Sequence, residues 1–411
     1  MMRRREFLAA AFPLMAAGAG IRREVFFRSP GKGTAIMAYA FYTKPAGPEM
    51  ISVEQRWSRS DTIDIAYYRI SKDNGRTWGE PKATATGEKR ANGMWRKHTR
   101  VGFVDPRTSR YIEFWLEGVL PGDDPLEGMK QWNIFYRVGQ DGTPQQIIQQ
   151  GKEYSATHPL PGVYTGKNSV MLGDLPSIPI TAKDGSILLP VEITPLGPNG
   201  EYHNPGGGYT YTDAAVISGR WRGNRLEWHC SDRVVGDPNR STRGMVEPTL
   251  AILEDGRVLM VMRGSNDKKP DLPSHRWVSY SSTNGKTWTK PVPWTYTSGE
   301  SFFSPSSCSQ LLKHSNGKLY WLGNINPANP KGNRPRFPFI IGEVDRRTGL
   351  LVKNSLRPVD DRQPGEAEIL SLSNFYAHED RETKEIVLYM TRLFAHPDGW
   401  EGDAMRYRIA P

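Results

Sequence analysis

The sequence predicts an all-β protein folded as a six-bladed β-propeller with four-stranded antiparallel blades. Composition is the first indication, because 41 glycines and 32 prolines in 411 residues, without a long apolar helical stripe, favour short strands and many turns. The second indication is an apolar hairpin strand that recurs six times, and the third is an eight-residue turn motif that occurs twice. The chain is long enough for one large core or for two ordinary domains.

The repeated hairpin is clearest between Met245 and Ser265, where an extended run, the turn Glu254-Asp255-Gly256 and an apolar run follow one another. Counterparts of the apolar run begin at residues 34, 110, 186, 257, 318 and 385, in steps of 76, 76, 71, 61 and 67 residues. A step of this length holds about four strands with their loops, which is one propeller blade. Two stacked β-sandwiches are the alternative, but a sandwich has no reason to repeat one hairpin six times.

The turn motif reads SKDNGRTW at Ser71–Trp78 and SSTNGKTW at Ser281–Trp288, with a weaker echo at Val138–Thr143. Asp and Gly favour a tight turn, the Ser and Thr hydroxyls can bond the turn backbone, and Trp can pack against the blade. The motif resembles the Asp-box repeat of the sialidase superfamily, which marks outer hairpins and carries no chemistry. The tail Asp403–Ile409 is expected to supply an outer strand that seals the ring and removes exposed sheet edges.

The N-terminus has the features of an export signal. Three arginines, Arg3 to Arg5, precede the short apolar stretch Ala9–Ala17, and small residues follow it. The RRxFL order resembles the twin-arginine type, whose cargo crosses the membrane already folded. We therefore expect residues 1–20 to be a signal, residues 21–411 to form a single propeller domain, and the protein to be periplasmic or secreted. The apolar stretch is too short for a transmembrane segment; a retained N-terminal anchor is the alternative.

Charge and motif content narrow the partners. The formal net charge of +10 becomes +8 when Arg3, Arg4, Arg5 and Glu6 are removed with the signal. Because no Lys/Arg-rich block is present, nucleic acid is not expected as a partner. The positive net charge favours an acidic glycan or oligosaccharide as the partner. The protein is expected to be a monomer. No metal-ligand or nucleotide-binding motif occurs, so no cofactor is expected. Two cysteines do not make a disulfide framework, and free thiols are expected.

The hairpins, boxes and blade count resemble sialidase-type exo-glycosidases over the whole mature chain. That resemblance implies a site at one end of the propeller, with three arginines that clamp a substrate carboxylate, an Asp acid/base, and a Tyr nucleophile activated by a Glu. The family spacing of sixteen residues between the Glu and a clamp arginine matches Glu247 and Arg263 here. Glu247 is then the base and Arg263 binds a carboxylate through its planar fork.

The resemblance places the acid/base on the loop before the first Asp box, five residues after an arginine that lines the pocket. Asp61 and Arg56 fit this spacing, and Asp64 is the fallback. A loop that dries the site would raise the pKa of an acid placed there. The alternative for Asp61 is a turn-capping role among polar neighbours.

The other two clamp arginines have competing candidates. Arg28 lies in a segment similar to the family's FRIP motif, but hairpin register prefers Arg23, ten residues before Gly33. In blade five, Arg336 is preferred to Arg334 because it directly precedes the strand that begins at Phe337.

The nucleophile is the least defined residue. Register places Asn374 where the family has its Tyr, whereas Tyr376 can serve if the strand is shifted. His98 opens the inner strand of blade two and is a second acid/base candidate, since related propeller glycosidases that act on uronic-acid-linked sugars use a histidine there or nearby. The leading hypothesis is an exported hydrolase that releases a terminal acidic sugar, sialic acid or a uronate. A carbohydrate-binding propeller without catalysis, and a glycosidase that uses His98 instead of a Tyr nucleophile, are the alternatives.

Overall fold

A computed structural model describes residues 20–147, 160–396 and 399–411. Their strands form six antiparallel sheets arranged as the blades of a propeller, which confirms the predicted fold class. The expected export signal, residues 1–20, lies almost wholly outside the described residues. No helix within the described ranges is long and apolar enough to cross a membrane.

The strands are numbered in chain order, and β1 (Ile21–Phe27) precedes blade one. Blade one contains β2 (Ala35–Tyr42), β3 (Met50–Trp57), β4 (Ile65–Ser71) and β5 (Lys82–Ala85). Blade two contains β6 (Gly87–Arg90), β7 (Gly93–Thr99), β8 (Phe103–Val104), β9 (Tyr111–Leu120), β10 (Asn133–Val138) and β11 (Gln145–Gln146). Between β9 and β10 lie a 3₁₀ turn (Pro125–Glu127) and the one-turn helix α1 (Gly128–Gln131).

The second half of the ring follows the same plan. Blade three contains β12 (Val170–Met171), β13 (Ile180–Thr181), β14 (Ile187–Ile193), β15 (Asp213–Arg222) and β16 (Arg225–Cys230). Blade four contains β17 (Val246–Ile252), β18 (Val258–Arg263), β19 (Arg276–Ser281) and β20 (Val292–Pro293). Blade five contains β21 (Gln310–Lys313), β22 (Leu319–Asn324), β23 (Phe339–Val344), a 3₁₀ turn (Lys353–Ser355) and β24 (Arg357–Asp360). Blade six contains β25 (Phe375–Glu379), β26 (Ile386–Thr391) and β27 (Ala404–Ile409), with β1 outermost.

In blades three to six the second strand is buried along its length because neighbouring blades cover both of its faces. Every residue of β14, β18, β22 and β26 is buried. The larger apolar clusters accordingly join adjacent blades: one contains Phe114 of blade two and Leu189 of blade three, and another contains Tyr39 of blade one and Tyr389 of blade six. Burial on both faces explains why the repeat is visible in the sequence as a continuous apolar run. In blade one the predicted apolar run at residues 34–41 instead forms the first strand, β2, because β1 belongs to blade six.

Ring closure differs from the expectation. The tail supplies β27, which is the third strand of blade six, and the outermost strand is the N-terminal β1. Ile21 pairs with Ile409 and Arg23 with Tyr407 in antiparallel register. The expectation that Asp403–Ile409 forms the outer strand is therefore wrong. The N-terminal strand β1, which precedes the first repeat, takes that position and completes the last blade.

Both predicted boxes form the expected turns on outer hairpins, between β4 and β5 and between β19 and β20. In the first box, the hydroxyl of Ser71 accepts a hydrogen bond from the backbone N–H of Gly75 over 2.9 Å. The side chain and backbone N–H of Thr77 donate to Asp73, and these bonds lower the pKa of the Asp73 carboxyl to about 2. The boxes therefore fix turns distant from the propeller axis.

The inner strands of blades two, three and four are irregular, each at one charged residue. In blade two, β7 and β8 both pair with β9 and leave Arg100 between them off the ladder. In blade three, β12 and β13 both pair with β14 and leave Asp174 in the gap. In blade four, the register shifts between Val246 and Thr249, and Glu247 has a φ of 48°, in the left-handed region that is costly for a side-chain-bearing residue. Each irregularity frees one charged side chain from the regular pleat.

Candidate functional site

A cleft of about 550 Å³ receives residues from all six blades. In blade order its lining includes Met37, Arg100, Asp174, Glu247, Arg336 and Asn374. Because every blade contributes, the cleft lies at one end of the propeller axis. Six residues singled out from the sequence line it: Asp61, His98, Glu247, Arg263, Arg336 and Asn374.

Glu247 and Arg263, the two residues that match the sixteen-residue family spacing, form an ion pair. Arg263 Nη1 lies 2.6 Å from Glu247 Oε1, and the two side chains are only 8% and 14% exposed. Arg263 is held further by the hydroxyl of Ser306 at 2.8 Å and by the side-chain oxygen of Asn333 at 3.2 Å. The second carboxylate oxygen of Glu247, Oε2, is buried without a hydrogen-bond partner among the described residues. One oxygen of Glu247 is therefore paired with a cation, and the other has no hydrogen-bond partner among the described residues.

Besides the exposed Arg334, three further arginines line the cleft without a carboxylate partner among the described residues. Arg336 donates to the hydroxyl of Ser373 and to the backbone carbonyl of Ser306, both at 2.9 Å. Arg243 donates to the hydroxyl of Thr210, and Arg100 donates to the backbone carbonyl of Gly173 at 2.7 Å.

Burial, followed by repulsion from Arg263, lowers the pKa of both Arg243 and Arg336 to about 10, and burial lowers that of Arg100. All three remain charged at neutral pH. Buried cations with no counter-ion make the cleft a strong site for an anionic group.

Two carboxyl groups that the sequence reasoning did not select accompany Glu247. Oε1 of Glu192 accepts a hydrogen bond from the backbone N–H of Glu247 at 2.9 Å. Burial, and next the charge of Glu247, raises the pKa of Glu192 to about 7. Oδ2 of Asp174 accepts from the side-chain amide of Asn374 at 3.2 Å, and burial followed by Glu247 raises the pKa of Asp174 as well. The cleft thus holds carboxyls of unequal acidity.

Asp61 lies at the rim of the cleft on the loop between β3 and β4. Its side chain is exposed, its φ is 53°, and the hydroxyl of Ser60 donates to its Oδ2 at 2.8 Å. The fallback residue, Asp64, accepts a hydrogen bond from the backbone N–H of Ser58 at 2.7 Å and so fixes the base of the same loop. Asp61 is therefore the acidic residue of this loop that faces the cleft.

His98 lines the cleft as a buried, neutral imidazole. Its ring centroid lies 4.7 Å from that of Trp132, and Nε2 has no hydrogen-bond partner in the described part of the chain. Burial, with smaller contributions from Arg100 and Arg96, lowers the pKa of His98 to about 3. At neutral pH this imidazole is uncharged and is therefore not an acid that could protonate a leaving group.

Three residues predicted for the site lie elsewhere. Arg23 is on the outermost strand of blade six, where its Nη1 lies 3.0 Å from Asp360; register counting misplaced it because β1 is not an inner strand. Arg56 is on the second strand of blade one, ion-paired with Glu54 at 3.1 Å and stacked over Tyr67. The competing Arg28 is at the surface near Asp403, and Arg334 lines the cleft beside Arg336.

Tyr376 is the third residue outside the cleft lining. Its ring is buried between blades one and six, edge-on to Tyr39 and stacked on His378. Asn374, two residues earlier and just before β25, lines the cleft instead. The register that favoured Asn374 is the one the structure shows, and the shifted register that brings Tyr376 to the site is wrong.

The missed residues differ in how visible they are in sequence. Glu192 is the last residue but one of the second strand of blade three, much as Arg263 ends that of blade four, so a similar criterion would have selected it. Arg100 and Asp174 lie in breaks of the inner strands, and Arg243 lies in the loop before β17; no periodic signal marks these positions. Within the described residues, no group of three or more His, Cys, Asp or Glu side chains has an arrangement that would hold a metal ion.

Residues 127–357 match the family described as BNR repeat-like domain. No curated protein sequence matches the chain. Among solved structures, a protein of unknown function from Dyadobacter fermentans aligns with a TM-score of 0.60 and 13% identity, over 95% of this chain and all of that one. NanB sialidase from Streptococcus pneumoniae aligns at 0.58 and 11%, over 94% and 70%. The α-L-arabinanase of Penicillium chrysogenum aligns at 0.54 and 13%, over 94% and 97%. At these identities the structural likeness shows the fold.

Proposed function

The chain belongs to the BNR repeat-like domain family, and from that membership together with the cleft we propose that the protein is a glycoside hydrolase that removes a terminal acidic sugar from a glycan. Sialic acid and uronate-type sugars are the two substrate classes that carry the required carboxylate. We further propose that the enzyme acts after export, as its N-terminal sequence predicts. The fold is a sialidase-like propeller, whereas the substrate and the reaction are what we propose.

The observation that carries the proposal is the group of arginines in the cleft that have no described carboxylate within ion-pair distance. Arg100, Arg243 and Arg336 lack carboxylate partners among the described residues, whereas Arg263 has Glu247. Arg243 and Arg336 each interact with Arg263, so three of these cations lie near one another. A neutral sugar would leave them uncompensated, but a carboxylate can accept paired hydrogen bonds from the fork of an arginine. The arrangement favours an acidic ligand.

The cleft also has the groups that glycosidic cleavage needs. Hydrolysis requires one group that protonates the leaving oxygen and one that takes a proton from water or attacks the sugar carbon. Glu247 is suited to the second role because its Oε2 is unpartnered while Arg263 stabilises the negative charge through Oε1. Asp61 on the rim, and the two buried carboxyls, are available for the first.

A propeller that binds acidic sugars without cleaving them is the second candidate. The observation that favours it is the position of Tyr376, which is packed between blades rather than beside Glu247. With Asn374 in the cleft, no tyrosine nucleophile is in the predicted place. We do not propose proton donation by His98, since its imidazole is neutral down to low pH.

The test is turnover of a panel of sialosides and uronate-capped glycosides by the purified protein, with the released sugar quantified by chromatography. The matched variants are Glu247→Gln, which keeps the shape of the side chain, and Arg28→Gln at the surface. Release of one acidic sugar that is lost in Glu247→Gln and kept in Arg28→Gln supports the proposal. Calorimetric binding of the sugar without any product identifies a binding protein instead, and neither binding nor turnover refutes both candidates.

A further inference from the structure

We propose that Asp174 is the group that protonates the leaving oxygen, and that Asn374 positions it. The inference rests on the proposed glycoside hydrolase function and concerns the same cleft. Asp174 was not selected from the sequence because it lies in the break between β12 and β13, outside any periodic pattern.

The first support is position. Asp174 lines the cleft, and its side chain is only partly covered, so it can reach a bound molecule. The neighbouring Gly173 packs against the backbone of Glu247 so closely that an added Cβ would lie 3.2 Å from the Glu247 Cα. Arg100 fixes this segment by donating from Nε to the Gly173 carbonyl at 2.7 Å. The two carboxyl-bearing segments are thus held side by side.

The second support is the difference between the partners of the two carboxyls. Oδ1 of Asp174 accepts the backbone N–H of Leu175 at 2.8 Å, and Oδ2 accepts the Asn374 amide at 3.2 Å. No Lys, Arg or His of the described residues forms a salt bridge with Asp174, whereas Arg263 pairs with Glu247 at 2.6 Å. Asp174 therefore has amide partners, whereas Glu247 is paired with a cation.

The groups that face Asp174 keep it protonated more readily than an exposed aspartate. Burial raises its pKa, the charge of Glu247 raises it next, and Asp61 acts in the same direction, while Arg100 opposes them. The thiol of Cys308 lies 3.8 Å from Oδ2, and the buried phenol of Tyr39 is also near. Two carboxyls that have different partners in one cleft can divide the roles of acid and base.

Other carboxyls fit the role less well. Glu192 lines the cleft but is only 5% exposed, and its two oxygens accept hydrogen bonds from the Glu247 backbone and the Thr212 hydroxyl, so it is less accessible to a bound molecule than Asp174 is. Asp61 is exposed at the rim, where water surrounds it. Only Asp174 among the described acidic residues of the cleft combines partial access, burial and the absence of an ion pair.

The proton and electron balance is complete with water as the co-reactant. The Asp174 proton moves to the glycosidic oxygen as the bond from the sugar carbon to that oxygen breaks, which releases the aglycone as an alcohol. Water supplies the new oxygen on the sugar carbon, and its proton passes to Glu247. Transfer of that proton from Glu247 back to Asp174, through solvent, restores the starting state.

Leaving-group dependence tests the assignment. The acidic sugar that the wild type releases is presented as an alkyl glycoside, whose leaving group needs a proton, and as a 2,4-dinitrophenyl glycoside, whose leaving group does not. We expect Asp174→Asn to lower kcat on the alkyl glycoside by about 10²- to 10⁴-fold and to have a much smaller effect on the activated substrate. Asp61→Asn is the matched variant, for which we expect similar effects on both substrates.

A second variant guards against misfolding of Asp174→Asn. In Asn374→Ala the amide donor that stabilises the Asp174 anion is lost, so the pKa of Asp174 rises and the alkaline limb of the kcat profile moves to higher pH. An unchanged profile, an equal loss on both substrates in Asp174→Asn, or leaving-group dependence in Asp61→Asn would each overturn the assignment. Wild-type protein that turns over nothing refutes the proposed function, and the assignment falls with it; turnover with any of those three results refutes the assignment alone.

Discussion

The backbone N–H of Glu247 donates a hydrogen bond to the side-chain oxygen Oε1 of Glu192 over 2.9 Å, and this contact joins blade three to blade four at the cleft. The left-handed φ of 48° at Glu247 accompanies it. A carboxyl of one blade thereby holds the backbone of a second carboxyl in a conformation that a regular strand does not allow. The strained residue therefore lies where Glu192 and Glu247 meet.

Glu192 should make a contribution to stability that falls with rising pH. Burial raises its folded-state pKa from 4.5 to about 7, so between those values the unfolded chain has already lost the proton that the folded protein retains. At this group the unfolded state binds fewer protons, and its contribution to the free energy of unfolding decreases as pH rises, by on the order of 2 kcal/mol. Burial lowers the pKa of His98 and of His378 and acts in the opposite direction, so the contribution of Glu192 is measured against a variant.

The measurement is urea denaturation of the wild type and of Glu192→Gln at pH 5 and pH 8. Glutamine keeps the acceptor for the Glu247 N–H but has no proton to lose, so the free energy of unfolding of the wild type should fall relative to that of the variant from pH 5 to pH 8. An equal change with pH in both proteins would contradict the assignment to Glu192.

Substitution of Arg336 should weaken ligand binding more than it weakens folding. Arg336→Lys keeps the charge but loses the planar fork, and we expect the affinity for the released acidic sugar to fall about 10- to 100-fold. Titration calorimetry measures the affinity, and thermal unfolding should stay close to that of the wild type. Arg28→Lys, on an arginine 77% exposed, is the control and should bind as the wild type does. Unaltered affinity in Arg336→Lys would exclude it from the anion site.

Tyr376→Phe should retain activity. The ring is packed against Tyr39 and His378 between blades, so removing its hydroxyl takes nothing from the cleft. We expect a change in kcat well below the loss of about four orders of magnitude or more that follows removal of a nucleophile. Steady-state kinetics on the substrate found in the panel decides this, and a loss on that scale would place Tyr376 in the reaction.

Among the polar residues that join β1 to the last blades, Asp360 should be the one whose substitution lowers the free energy of unfolding most. Its buried carboxylate accepts hydrogen bonds from Arg392 and Tyr407 and lies 3.0 Å from Arg23. Asp360→Ala leaves the buried Arg392 with only Glu366, and we expect a loss of about 3 to 5 kcal/mol in the free energy of unfolding. Arg23→Ala removes a half-exposed partner and should cost no more than about 1 kcal/mol. Chemical denaturation compares the two variants, and similar losses would show that Asp360 is not the centre of the network.

The fold was predictable because its signals are local and repeated. The apolar second strands and the two boxes each report on a hairpin a few residues long, and six copies leave little choice of architecture. The pair of Glu247 and Arg263 was predictable for the same reason, since both ends belong to one hairpin. The position of Asn374 also followed from hairpin register.

The rest of the cleft depends on contacts between segments far apart in sequence. Asp174 and Asn374 are 200 residues apart, and only ring closure brings them within hydrogen-bond distance. Arg23 was misplaced because register counting assumes that each strand belongs to the blade nearest in sequence, and β1 belongs to the last blade. Packing between neighbouring blades, which no sequence pattern reports, places Tyr376 in the core. Burial in the same way raises the pKa of Glu192.

The pairing of β1 with β27 also constrains when the protein can become complete during synthesis. Residues 21–27 are synthesised before the other strands of the ring, yet their hydrogen-bonding partners at 404–409 are synthesised after those strands. Until then β1 and β26 each present an unpaired edge, which is the kind of surface that promotes association between unfinished chains. A translating ribosome therefore holds an open ring, and the strand at 404–409 converts it into a closed one.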